Sequence, residues 1–215
     1  MLFLLLSLSL LCLSALLSLF CGARSERAGF IGAAGAVSAS VVGFAPAVNT
    51  LIHPAAETFR LPWPVPMGSF SLALDPLSAF FLVPVFILTA AAAVYGADYL
   101  KSGDKKSPGF AWAAFNLLTA AMVTVFLAAN AVLFLLAWEV MAVSSFFLVI
   151  YDHEKSQVRR AAFIYLAAGA AGALSLMLAF SLLGPRGAPL DFALFSRPEG
   201  RFAAAAFLSF LLGFG

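Results

Sequence analysis

Between Pro108 and Ile150 the chain carries a single ionisable side chain, Glu139. That run is far too long for one bilayer crossing and about right for two, because roughly 20 apolar helical residues span a hydrocarbon core of about 30 Å. A tight turn at Ala129-Asn130 divides it. The rest of the chain follows the same pattern. It is 63% hydrophobic and 10% charged, with a mean hydropathy of +1.04, whereas water-soluble chains are about 25% charged. The excess apolar surface needs lipid as its solvent, and in lipid the backbone must satisfy its own hydrogen bonds. A net charge of +2 gives no nucleic-acid signal.

The apolar runs predict an all-α membrane protein, a polytopic helix bundle forming one transmembrane domain over residues 1–215. Six transmembrane helices are complete and a seventh is begun, at about residues 2–21, 28–48, 76–100, 109–129, 131–151, 161–183 and 202–215. The last run is too short to span, and the sequence stops inside it, as expected of the N-terminal part of a longer subunit. The first run has no Lys or Arg before it and is longer than the apolar core of a signal peptide. Phe20 before Cys21 makes a poor lipoprotein cleavage site, so a retained helix is expected. Cys12 and Cys21 fall in that run and read as small buried hydrophobes rather than a disulfide framework.

Residues 49–74 read as an extramembrane stretch whose prolines exclude a helix, with Ser69–Leu74 alternating as a hairpin strand does. Asp75-Pro76 supplies a side-chain cap and a first-turn proline, the chemistry of a helix entry at the membrane interface. Helix 2 is rich in Gly, Ala and Ser, which predicts close packing on several sides. The basic residues divide unevenly. Arg24, Arg27, Lys101, Lys105, Lys106, Lys155, Arg159 and Arg160 fall on one side, and Arg60, Arg186, Arg197 and Arg201 on the other. The positive-inside rule then puts the N-terminus outside a cytoplasmic (inner) membrane.

Glu139 lies roughly 12 Å along its helix from Ala131, at about 1.5 Å per residue, which is close to the midplane. A charge there costs about 3 kcal/mol even on lenient insertion scales. The expectation is a buried glutamate with one of three roles: a proton-relay group, a cation ligand in a transporter, or a neutral acid bonded to a neighbouring helix. Asn116, Ser144 and Ser145, with Thr119, Thr124 and Ser175, are candidates for a hydrated polar path, or else interhelical glue. No Cys/His cluster or phosphate loop is present, so no redox cofactor, metal or catalytic redox site is expected in this chain.

Four stretches carry a resemblance. They are SFSLALDPLSAFFLVPVFILTAAAAVYGADYL (69–100), FNLLTAAMVTVFLAANAVLFLLAWEVMAVSSFFLV (115–149), HEKSQVRRAAFIYLAAGAAG (153–172) and FLSFLLGFG (207–215). Together they resemble the antiporter-like proton-translocating subunits of respiratory complex I, of Mrp-type cation/proton antiporters and of membrane-bound hydrogenases. The tone of FLLGFG and HEKSQVRRAAFIYL is most similar to the membrane subunits of the hydrogenase-4 and formate hydrogenlyase type. The resemblance implies that Glu139 matches the family's helix 5 glutamate, which pairs with a helix 7 lysine during proton transfer. It also implies partners: membrane and peripheral subunits of a redox or antiporter complex, with protons, or alternatively sodium, as the coupling ion. At Ala170 the chain departs from the family, many members of which carry a histidine there.

Overall fold

The structure is a computed structural model and describes residues 1–21, 26–100, 108–185, 187–196 and 199–214. Arg24, Lys101, Lys105, Lys106, Arg186 and Arg197, which carry much of the charge bias, lie outside the described residues. The elements are α1 (Leu2–Phe20), α2 (Glu26–Ile52), β1 (Glu57–Leu61), β2 (Phe70–Leu74), α3 (Pro76–Tyr99), α4 (Pro108–Leu127), α5 (Ala131–Val149), α6 (Ser156–Leu183) and α7 (Arg201–Phe214). Single 3-10 turns follow α5, at Ile150–Asp152, and precede α7, at Phe192–Leu194. Helices α1 to α6 are long and apolar enough to cross a membrane, and α7 is shorter. The chain is a multi-pass α-helical membrane protein.

Helix α4 is central: it packs against α1, α2, α3 and α5 and is the most enclosed of the six spans. The α5–α6–α7 group is built out from it through α5. Helix α2 accounts for its small residues by close approach. A Cβ added at Gly32 would run into Trp112 of α4, one at Gly35 into Ser14 of α1, and one at Gly43 into the Phe86 ring of α3. Serine bonds add little between helices. Ser7 Oγ reaches across to the Ala39 carbonyl at 2.7 Å, while Thr119, Thr124 and Ser175 bond back to carbonyls of their own helices. The interhelical role expected for these three hydroxyls is therefore corrected, because a Ser or Thr side chain in a helix finds the i−4 carbonyl first.

Helix α2 continues to Ile52 despite Pro46, four residues beyond the sequence expectation. The remaining stretch forms an antiparallel hairpin, in register from Glu57↔Leu74 to Leu61↔Phe70. Leu72 and Leu74 of β2 are buried beside Leu82, Phe86, Leu127 and Leu133, so the hairpin plugs one end of the bundle. Asp75 begins α3. Its Oδ1 accepts from Ser78 N at 2.7 Å, and Pro76 holds the first helical position. Replacing Asp75 with Ala is expected to cost about 1 kcal/mol, read as a lowered unfolding midpoint in detergent, with Asp75→Asn restoring most of it.

The first turn of α6 starts at Ser156, so Arg159 and Arg160 belong to the helix rather than to the loop before it. Arg159 donates to the His153 and Glu154 carbonyls, and Lys155 pairs with Asp152 at 2.7 Å. Cys12 and Cys21 are exposed, not buried as the sequence implied. In lipid the outer face of a helix is as good a place for an apolar thiol as its packed face.

Candidate functional site: a carboxylate in an apolar groove

Helix α5 is apolar nearly all round, and its start is fixed by Asn130. The Asn130 Oδ1 accepts from Val132 N at 2.9 Å and from Leu133 N at 3.4 Å. From that cap the helix carries Glu139 about two turns inward. The residues Glu139, Val140, Val143, Ser144 and Phe147 then form one wall of a groove of about 640 Å³. The other walls come from α4 (Phe110, Ala113, Ala114, Leu117) and α1 (Cys12, Ala15, Leu16, Leu19).

Glu139 is exposed in this groove. Among the described residues it has no hydrogen-bond or ion-pair partner. The expectation of a buried glutamate needs correcting. The described helices do not enclose the carboxylate, and its surroundings are apolar because of its depth in the span and the side chains beside it. Ser144 lies on the same wall, 1% exposed, and its Oγ has no partner. An unpaired hydroxyl in an apolar site carries an uncompensated desolvation cost, so it marks a place where a polar group or water can be accepted.

The other candidate residues lie elsewhere. Asn116 is fully buried and ties α4 to α2, its Nδ2 donating to the Gly32 carbonyl at 3.1 Å and to the Trp112 carbonyl at 3.0 Å. Its Oδ1 is unpartnered, but Asn116 is not on the groove wall. Ser145 is half-buried and also off that wall. Asp75 sits at the hairpin end of α3 as its cap. The structure thus brings Glu139 and Ser144 together and leaves Asn116, Ser145 and Asp75 apart from them.

Asp191 was not singled out by the sequence. It is 7% exposed and accepts from Asn130 Nδ2 at 2.8 Å and from Ser69 Oγ. A lone acid in a long loop gives no local signal of burial, because its partners come from two other loops.

Residues 128–214 match the family described as NADH:quinone oxidoreductase/Mrp antiporter, TM. The chain is 32% identical over 155 residues to hydrogenase-4 component B of Escherichia coli (strain K12), a match covering 71% of this chain and 23% of that protein. It is 28% identical over 162 residues to the putative antiporter subunit mnhA2 of Staphylococcus aureus, covering 75% of this chain and 20% of that one. The chain therefore spans about a quarter or less of the length of these relatives. Its fold matches a chain of the Mrp complex from Dietzia sp. DQ12-45-1b with a TM-score of 0.75 at 23% identity, over 98% of this chain and 23% of that one. A chain of the membrane-bound sulfane sulfur reductase, an archaeal respiratory membrane complex, matches with a TM-score of 0.74 at 24% identity, over 97% of this chain and 33% of that one. With relatives on both the hydrogenase and the antiporter side, the segment 128–214, which holds α5, α6 and α7, carries the match to that family, and the chain as a whole is similar to the antiporter-like membrane subunits.

Proposed function

We propose that this chain is part of a proton-translocating membrane subunit of a redox-driven complex, of the membrane-bound hydrogenase or NADH:quinone oxidoreductase type, with Glu139 as the group that carries the proton. The observation that supports this most is an unpartnered carboxylate at mid-span, open to a groove that is otherwise apolar. An apolar medium favours the neutral acid, and a cation brought close favours the carboxylate. A carboxyl between these two pressures takes up a proton when the cation withdraws and releases it when the cation returns. The cation is supplied from outside the described residues, and the family resemblance points to a lysine of helix 7. Ser144 Oγ, unpartnered on the same wall, is the candidate to hold a water on the way.

The partners in this reading are the other membrane and peripheral subunits of the complex. The N-terminus lies outside a cytoplasmic membrane, with Arg27, Lys155, Arg159 and Arg160 facing in and Arg60 and Arg201 facing out.

A hydrophobic carbodiimide tests the reading. Dicyclohexylcarbodiimide adds to a protonated carboxyl in apolar surroundings and leaves a stable acylurea. In membranes holding the full-length subunit in its complex, it is expected to label Glu139 and to stop proton flux in step with labelling. Flux that continues at full labelling rejects the role. The similarity to mnhA2 and to the Mrp complex favours a second reading, a cation/proton antiporter without a redox partner. Proton flux from the isolated complex that depends on sodium and needs no electron donor would decide for it.

A further inference from the structure

Three loops far apart in the sequence meet at the hairpin end of the bundle. Ala129 N donates to the Ser71 carbonyl at 2.8 Å, Phe192 N to Ala129 at 3.0 Å, Ala131 N to Leu190 at 2.9 Å and Leu190 N to Met67 at 2.9 Å. Asp191 is at their centre. Its Oδ1 accepts from Asn130 Nδ2 at 2.8 Å and from Ser69 Oγ, and its Oδ2 faces the Arg60 guanidinium at 3.6 Å.

Asn130 is held at both ends of its amide. The Nδ2 end meets the Asp191 carboxylate, and the Oδ1 end accepts the two free backbone N–H groups that open α5. Turning the amide over would set its NH₂ against those N–H groups and its oxygen against the carboxylate. Only one orientation satisfies both sides; on the Nδ2 side Asp191 is the shorter contact, at 2.8 Å, with the Met67 carbonyl at 3.5 Å. Helix α5 is apolar nearly all round, so its hydrophobic pattern alone does little to choose which face is buried. A slip of one residue would turn Glu139 by about 100° and shift it by about 1.5 Å along the axis.

We infer that Asp191 is a positioning residue for α5: by orienting the Asn130 cap it sets the rotation and depth at which Glu139 faces the groove. The inference rests on the proposed role of Glu139 and adds a second, distant residue to it. Arg60 faces the carboxylate at 3.6 Å, and a carboxylate accepts hydrogen bonds without donating any.

Proton flux per subunit is to be measured against pH in membranes containing the intact complex, for Asp191→Ala, Asp191→Asn and Glu139→Gln side by side. Asp191→Ala is expected to lower flux by up to about 100-fold, the scale of a reacting group misplaced by about 1 Å, and to displace the pH midpoint of what remains, at unchanged subunit abundance. Asp191→Asn keeps an oxygen for Asn130 and Ser69 and is expected to restore the parent midpoint and most of the flux. Equal loss in both, or loss that follows abundance with the midpoint unmoved, overturns the inference. If Asp191→Ala fails to accumulate, the double variant Asn130→Ser/Asp191→Ala decides, because a serine cap needs no orienting partner. Recovered flux supports the inference and continued loss overturns it. If Glu139→Gln conducts protons normally, the reading of Glu139 fails and the inference with it. If Glu139→Gln is inert while Asp191→Ala conducts with the parent midpoint, the positioning role alone fails.

Discussion

Glu139→Gln in the full-length subunit is expected to lower proton flux by about 100-fold or more, the usual scale for removing a positioned proton carrier, while the complex assembles normally. The two halves of this result have separate physical causes. Gln keeps the shape of Glu but cannot gain or lose a proton near neutral pH, so transfer through this position stops. Assembly is spared because Glu139 has no hydrogen-bond or ion-pair partner among the described residues, so the substitution orphans no group there. The unfolding midpoint should hold, because the side chain has no partner among the described residues to lose and the amide keeps its shape. A carboxyl that only holds helices together gives the opposite pair of results, normal flux and a lower midpoint. Flux in inverted vesicles and thermal unfolding of the purified complex therefore separate the two readings.

The second large effect concerns packing. Gly109→Ala is expected to destabilise the bundle by about 1–3 kcal/mol, because the added Cβ would fall against the Ser18 carbonyl oxygen, inside van der Waals contact, with Ala28 Cβ just beyond at 3.3 Å. Backbone cannot rotate aside as a side chain can, so α1 and α4 must separate there. Phe110, the next residue, lines the Glu139 groove together with Ala15 and Leu19 of α1, so the groove should widen as well. The matched control is Gly187→Ala. Gly187 has open space around it but a φ of +74°, so the cost there comes from backbone strain and is about 1 kcal/mol. Unfolding midpoints in detergent check the order, with Gly109→Ala the lower. A Gly109→Ala protein as stable as the parent would mean that α1 and α4 do not meet at this glycine.

Several features of this protein were legible one segment at a time. The six crossings follow from apolar length, because lipid leaves a long charge-free run no alternative but a helix. The start of α3 could be read from Asp75-Pro76, since an N-cap and a first-turn proline act within four residues of chain. The break between α4 and α5 could be placed at Ala129-Asn130 for a similar reason: α4 ends at Leu127 and Asn130 caps α5. The position of Glu139 along α5 also came from counting along a helix.

What the sequence could not give was direction around each helix axis. In water, an apolar stripe tells the inward face from the outward one. In a bilayer, lipid tails are as apolar as the core, so α5 reads the same on every side and Glu139 could not be assigned to interior or groove. Tertiary structure alone put it in the open groove that Ser144 also lines, turned Asn116 toward α2, and returned the Thr119 and Thr124 hydroxyls to their own helices. It alone joined Asp191 to Asn130, across 61 residues. Hydropathy and capping are set by neighbours in the chain, whereas azimuth and long-range polar contacts exist only once the helices have met.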